Sequence, residues 1–274
     1  MRQEQKNTAV KGEFDLAWDD GHVVPPVMYP DLAFLFRRMN DVTVNEVGTG
    51  EGDRILDIGC GRAIDTARLA ERRGDCVGLE PSEAMVYHAR EHVENSGSRV
   101  ELVRGVGEQL PFKDSSFDKV VCKGALDHFP DPFEAVREMA RVLKPEGTVI
   151  ITIANFESLG FRLGRRFVRL ISVFDNDGAD KKRVWHVPHD HVYRFDYAFL
   201  KQLVEPHLEV DRAIGISLLF GFPWWGWFLN KLPTPVSSAT LSTMDRVARH
   251  FPSLGDTILV KCHTRDGTPA QRQH

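Results

Sequence analysis

Arg54-Ile55-Leu56-Asp57-Ile58-Gly59-Cys60-Gly61 is the stretch on which the fold turns. Ile55 to Ile58 is a short apolar run of strand length, and it ends abruptly in Gly59-Cys60-Gly61. Glycines there let the backbone turn sharply and let a ligand approach with no Cβ in the way. Thr66 to Arg73, beyond the turn, reads as a helix whose N-terminal N–H groups and partial positive charge suit an anionic group. Asp75-Cys76-Val77-Gly78-Leu79-Glu80 is a second strand, and Glu80 at its end is placed to accept both hydroxyl hydrogens of a ribose.

The same rhythm continues along the chain. Ser82 to Glu94 reads as a helix with Ser82 as its N-cap and Met85, Ala89 and Val93 along one face. Val100 to Val103 and Lys119 to Cys122 follow as third and fourth strands. Pro132 to Leu143 is a helix with Phe133, Val136 and Ala140 inward, stopped by Pro145-Glu146-Gly147 before a fifth strand, Thr148 to Ile153. Strands alternating with such helices pair in parallel, because each crossover needs a helix to return the chain. The expected fold is therefore α/β, a doubly wound, mostly parallel sheet with helices on both faces.

After the fifth strand the pattern changes. Asn155 to Phe195 is a long segment with its own helix, Phe195 to Pro206 is another helix, and Leu208 to Leu219 is a sixth strand. Ser237 to His250 reads as a helix and Asp256 to His263 as the seventh and last strand. This divides the chain into a lid segment, 1–52, a main domain, 53–265, and a flexible tail, 266–274. Within the domain, 156–194 is a helical insert and 222–254 a cap over the acceptor side.

Composition bounds the function. The 274 residues are 42% hydrophobic and 27% charged, close to globular averages, so a sizeable core is expected. A formal charge of −4 creates no field that would gather nucleic acid, which favours a small-molecule partner. Cys60, Cys76, Cys122 and Cys262 form no C-x-x-C pair and read as reduced thiols of a cytoplasmic protein. The polar start, Met1 to Lys11, lacks the apolar core of a secretory signal. Ala213 to Asn230 carries no charge, but Pro223, Gly215, Gly221 and Gly226 interrupt it, so a membrane span is not expected.

The glycine turn serves two kinds of nucleotide ligand. A nicotinamide dinucleotide site, as in a dehydrogenase, wants a small residue at 64, where this chain has Ile64 preceded by Arg62 and Ala63. Asp57 just before the turn would repel a pyrophosphate and instead suits the ammonium of an amino-acid tail. Ile55 to Gly61 in fact resembles the first motif of class I S-adenosylmethionine-dependent methyltransferases, in the branch related to ubiquinone and menaquinone pathway enzymes (methyltransferase type 11). Val77 to Met85 resembles the second motif, whose acidic residue holds the ribose, and Gly105 to Phe112 resembles the loop along the adenine. Phe117 to Val121, Asp127 to Pro132 and Leu143 to Gly147 resemble the fourth strand, the crossover helix and the entry to the fifth strand.

The resemblance covers about residues 50 to 155. It implies a seven-stranded Rossmann-like methyltransferase fold with S-adenosylmethionine as cofactor. Asp57, Gly59, Cys60, Gly61, Glu80, Pro81, Met85, Gly107, Glu108 and Lys123 fall at the cofactor-binding positions. Two departures stand out: Ala63 replaces the third small glycine, and Val106 replaces an adenine-binding Asp, for which Glu108 or backbone near Gly107 would substitute.

Methyl transfer from a sulfonium is an in-line displacement in which protein groups align the nucleophile and take up its proton. His128, after the fourth strand, is one catalytic candidate, and Asp127 beside it reads as a cap or turn residue. The resemblance makes His191, in His191-Val192-Tyr193-Arg194-Phe195, the second, with His189 a weaker one; their bland alternative is a surface loop. His186-Val187-Pro188-His189-Asp190-His191 lacks helical metal-ligand spacing, and no metal is expected. Cys122-Lys123-Gly124-Ala125 replaces the Asn/Asp-Pro-Pro-aromatic tetrad of nucleobase and amide methyltransferases, which points to an O or C nucleophile.

Leu159, Leu163, Phe167, Leu170 and Phe174 form one helical stripe, with Arg162, Arg165, Arg166 and Arg169 largely on another face. Phe222-Pro223-Trp224-Trp225-Gly226-Trp227-Phe228 is the second apolar cluster. Peripheral membrane contact through 159–174 and 222–229, and an amphipathic or lipid-linked acceptor, stand against simple packing as a cap. A binding module that keeps the ligand fold without catalysis is the non-enzyme alternative. Oligomeric state and the acceptor's identity stay open.

Overall fold

The computed structural model describes residues 14–21, 27–48, 50–72, 74–172 and 192–265. In chain order the elements are α1 (Pro30–Val47), β1 (Arg54–Ile58), α2 (Ile64–Glu71), β2 (Asp75–Glu80), α3 (Glu83–Ser96), β3 (Val100–Arg104) and β4 (Phe117–Lys123). A short 3₁₀ turn, Leu126–His128, precedes α4 (Pro132–Val142) and β5 (Leu143–Ala154). Then come α5 (Leu159–Ser172), α6 (Tyr197–Val204), β6 (Leu208–Ile216), α7 (Trp225–Lys231), α8 (Thr234–His250) and β7 (Thr257–Thr264).

The seven strands lie in the order β3-β2-β1-β4-β5-β7-β6. β3 through β5 are parallel, and β7 runs antiparallel to both of its neighbours. Strand order reverses between β1 and β4, and open α/β sheets bind ligands beyond the strand ends at such a switch point.

Alternation along each strand separates two cores. Leu56, Ile58, Val77, Val120, Ile151 and Val260 face one side, where α4 and α6 add Val136, Met139, Leu200 and Leu203. Ile55, Cys76, Val121, Ile150 and Leu259 face the other, where α2 adds Leu69 and α1 adds Leu35, Val42, Val44 and Val47. Helix α1 is thus embedded in a core, and among the described residues of the 1–52 segment Phe14, Asp15, Trp18 and Asp20 line the cavity beyond the strand ends. A helix of this length was not legible from sequence, because the β-branched Val42-Thr43-Val44 run opposes it and its N-cap, Tyr29, makes no side-chain hydrogen bond.

Several local expectations need correction. Phe133 is 42% exposed, edge-on to Phe199, and the inward face of α4 is Ala135, Val136, Met139 and Val142. Pro145-Glu146-Gly147 does not separate helix from strand: α4 ends at Val142 and β5 begins at Leu143, with a register shift opposite Phe117/Lys119. On α5 the buried positions are Gly160, Phe161 and Gly164, while Leu163 and Leu170 of the expected stripe are exposed. A Cβ at Gly160 would lie 2.4 Å from the Phe220 carbonyl oxygen, so glycine permits that helix to approach the chain after β6. The uncharged 213–230 stretch is divided among β6, a bend and α7, and no described helix is long and apolar enough to cross a membrane.

Candidate functional site

A cavity of about 280 Å³ opens at the C-terminal ends of β1, β2 and β4. Its floor is the turn after β1. Gly59 and Gly61 hold φ values of +70° and +54°, and the Gly59 and Cys60 N–H groups both donate to the Leu79 carbonyl. A Cβ on Gly59 would sit 2.5 Å from the Ala125 Cβ, so side chains are excluded from that floor by contact as well as by backbone conformation. Ala63 keeps the left-handed geometry (φ +56°) despite its Cβ and caps α2.

Among the carboxylates that line this cavity, Asp57, Asp65 and Glu80 are buried. Asp57 is 5% exposed and accepts a 2.6 Å hydrogen bond from Thr66 Oγ1. Burial pushes its pKa up to about 6, against the lowering effect of the Thr66 bond and with the Asp65 charge raising it further. Glu80 is also buried: Gly61 N–H donates to Oε2 at 3.0 Å and Ser82 N–H to Oε1 at 2.9 Å. Desolvation raises its pKa too. Lys123 also lines the cavity, its Nζ 2.5 Å from Asp65 Oδ2 and donating to Asn40 Oδ1 at 2.6 Å.

The remaining expected cofactor positions meet in the same cavity: Cys60, Pro81, Met85, Gly107 and Glu108. Burial pushes the Cys60 thiol well above its ordinary pKa, which disfavours the thiolate. Ser82 caps α3, accepting from Met85 N–H at 3.3 Å, and this sets Met85 beside Gly61. Gly107 lies where a Cβ would meet Phe129 Cε2 at 2.5 Å. Burial raises the Glu108 carboxyl, which accepts from Asp131 N–H at 3.3 Å.

His128 lines the cavity at the end of the 3₁₀ turn, its ring edge-on to Trp18 with centroids 5.3 Å apart. Val192 and Tyr193 N–H groups both donate to the Asp127 carbonyl, so the chain beyond residue 191 returns beside it. His191, His189 and His186 lie outside the described residues, as do Phe174 and the 266–274 tail. Among the described residues no group of His, Cys, Asp and Glu is arranged to hold a metal. Sequence reasoning missed Phe14, Trp18, Thr43 and Val44, which also line the cavity. They come from segments remote in sequence, and no local pattern marks them.

The sheet order, the glycine floor and the paired buried carboxylates define a Rossmann-like methyltransferase domain. Residues 56–151 match the model of the family described as "Methyltransferase domain". A demethylmenaquinone methyltransferase of Bacillus velezensis is 33% identical over 166 residues, 58% of this chain and 70% of that protein. Its Bacillus subtilis counterpart is 35% identical over 131 residues, covering 46% and 56%. A ubiquinone biosynthesis O-methyltransferase of Aliivibrio fischeri is 34% identical over 119 residues, covering 43% and 50%. The chain thus spans about half the length of two of these relatives.

Solved structures share the fold. YcgJ from Bacillus subtilis superposes with a TM-score of 0.54 at 21% identity, covering 84% of this chain and all of that one. An S-adenosylmethionine-dependent methyltransferase from Aquifex aeolicus gives 0.55 at 17% identity, covering 86% and 93%. The chain belongs to the methyltransferase-domain family, whose cofactor is S-adenosylmethionine. The cavity fits that cofactor chemically, with buried carboxylates at Asp57 and Glu80, a lysine at 123 and a floor that glycines keep open.

Proposed function

We propose that this chain transfers a methyl group to an O or C nucleophile of a small, amphipathic or lipid-linked acceptor. The observation that carries the reading is the convergence of Asp57, Glu80 and His128 on one cavity. The cofactor, when bound, supplies a methyl already activated by its sulfonium. Asp57 holds the ammonium of its amino-acid tail, and Lys123 attracts the carboxylate. Glu80, fixed by Gly61 and Ser82, accepts from the ribose hydroxyls. Pro81, Met85, Gly107 and Glu108 enclose the base, while Gly59, Cys60 and Gly61 form the floor. His128 takes the proton from the acceptor. The relatives named for quinone methylation support an aromatic, partly apolar acceptor.

The test is S-adenosylhomocysteine formation over a panel of hydroxylated and carbon-acid amphipathic aromatics. His128→Ala is expected to lower kcat by about 10²-fold or more, the usual worth of a positioned base, with a much smaller change in cofactor affinity. An unaltered kcat would remove His128 from catalysis. Cofactor binding without turnover on any acceptor would favour the binding-module reading.

The setting we propose is cytoplasmic and peripheral to an anionic membrane. Trp224, Trp227 and Phe228 are exposed on and before α7, and Leu163 and Leu170 are exposed on α5. Phe167 joins the two groups, 5.9 Å from Phe222 and 5.8 Å from Trp224 between ring centroids. Arg166 and Arg169 are exposed on the same helix, and Lys231 sits over Trp227. Aromatic side chains flanked by basic ones suit the headgroup boundary. Flotation with phosphatidylglycerol vesicles, reduced for Trp224→Ala/Trp227→Ala and absent with neutral vesicles, is the expected result. No flotation of the unmodified protein would discard membrane contact and leave the methyltransferase reading intact.

A further inference from the structure

Arg62 breaks the small-residue pattern immediately after Gly61, and nothing in the cofactor chemistry above uses it. Its guanidinium makes a two-point ion pair with Asp20, Nε to Oδ2 at 2.6 Å and Nη2 to Oδ1 at 2.7 Å. Asp20 belongs to residues 14–20, which form neither helix nor strand yet contribute Phe14, Asp15, Trp18 and Asp20 to the cofactor cavity. The segment is tied down at two further points: Glu83 N–H donates to the Leu16 carbonyl at 3.3 Å, and Ser82 Oγ to the Trp18 carbonyl at 2.6 Å. At the far side of the cavity Trp18 meets His128.

We infer that residues 14–20 are a strap across the cofactor cavity and that the Asp20–Arg62 pair is its latch, setting how fast the nucleoside cofactor and its demethylated product exchange. The inference rests on the cofactor reading above. A ligand whose ribose sits at Glu80 lies between the Gly59–Gly61 floor and this strap, so exchange requires the strap to lift. The apolar contact that resists lifting is concentrated at half-buried Trp18: Phe14 and Leu16 are 44% and 49% exposed, and neither belongs to a core cluster. Segments held by a few polar contacts open at low free-energy cost, and such openings often limit product release. The latch itself is partly exposed, with side chains 41% and 26% accessible for Arg62 and Asp20. A pair of that kind changes an opening equilibrium by no more than about fivefold and weakens with salt.

The experiment is stopped-flow release of S-adenosylhomocysteine from the full chain, read by tryptophan fluorescence, for the unmodified protein, Asp20→Asn, Arg62→Gln and the double variant. Each single change is expected to speed release by about two- to fivefold, and the double change by no more than either single. Raising salt from about 0.05 to about 0.5 M speeds release from the unmodified protein and leaves the variants unaffected. Single effects that multiply in the double variant, or release indifferent to both salt and substitution, would overturn the latch. The salt arm uses the unmodified protein and so does not depend on how the variants fold. Failure of the unmodified protein to bind S-adenosylhomocysteine would instead strike the cofactor reading.

Discussion

Thr66 Oγ1 donates a 2.6 Å hydrogen bond to Asp57 Oδ2, joining the first turn of α2 to the last turn-side carboxylate of β1. That bond offsets part of the burial penalty, and with the charges of Asp65, Lys123 and Glu80 the net effect leaves the Asp57 pKa raised to about 6. Its charge state therefore changes close to neutral pH.

If Asp57 receives an ammonium, binding needs its carboxylate form. Affinity for S-adenosylmethionine is then flat well above pH 6 and falls about tenfold per unit below it, because the proton competes with the ligand. Thr66→Val, which removes the lowering bond, moves that midpoint upward. Isothermal titration between about pH 5 and about pH 8 measures both, and an affinity independent of pH across this range would contradict the role.

Asp256, buried at the start of β7, carries a pKa raised by desolvation to about 8, partly offset by bonds from Phe220 N–H, Ser217 and Ser158. Between the ordinary carboxylate range and pH 8 the folded state binds more protons at this site than the unfolded chain. Stability contributed here is accordingly lost as pH rises through that window, at most about 1.4 kcal/mol per unit. Asp256→Asn removes the titration, so its melting temperature should fall less between about pH 6 and about pH 9 than that of the unmodified protein. Parallel pH profiles in thermal melts would show that Asp256 does not titrate there.

Two small-residue positions of the turn, Gly59 and Ala63, should respond oppositely. Ala63 sits at φ +56°, where a Cβ is strained, so Ala63→Gly is expected to be stabilising by about 0.5 kcal/mol after the entropy cost of glycine. Gly59→Ala combines φ +70° with a 2.5 Å approach to Ala125 and should destabilise by about 1–3 kcal/mol and block the cavity floor. Urea unfolding of both variants checks the signs.

Much of this site could be read before the structure. Residues 54–61 and 75–85 carry their meaning locally: a strand-length apolar run, glycines where φ is positive, a serine cap before Met85. The strap and α1 carry none, because Trp18, Thr43 and Val44 reach the cavity through contacts with elements far along the chain. Phe133 misled for a different reason, since an aromatic at the first turn of α4 can rest on Phe199 at the surface as readily as enter the core. The α5 stripe left open which face packs: Leu163 and Leu170 are exposed, and it is at Gly160 that the helix comes close to the Phe220 carbonyl.

The measurement that bears most directly on the central claim is titration of the protein with S-adenosylmethionine and S-adenosylhomocysteine, repeated on Asp57→Ala and Glu80→Ala. The account predicts micromolar binding of both ligands, lost or weakened by at least about 10-fold in each variant, the usual cost of deleting a charged hydrogen-bond partner. No heat with either ligand, or binding that both variants retain in full, would contradict it.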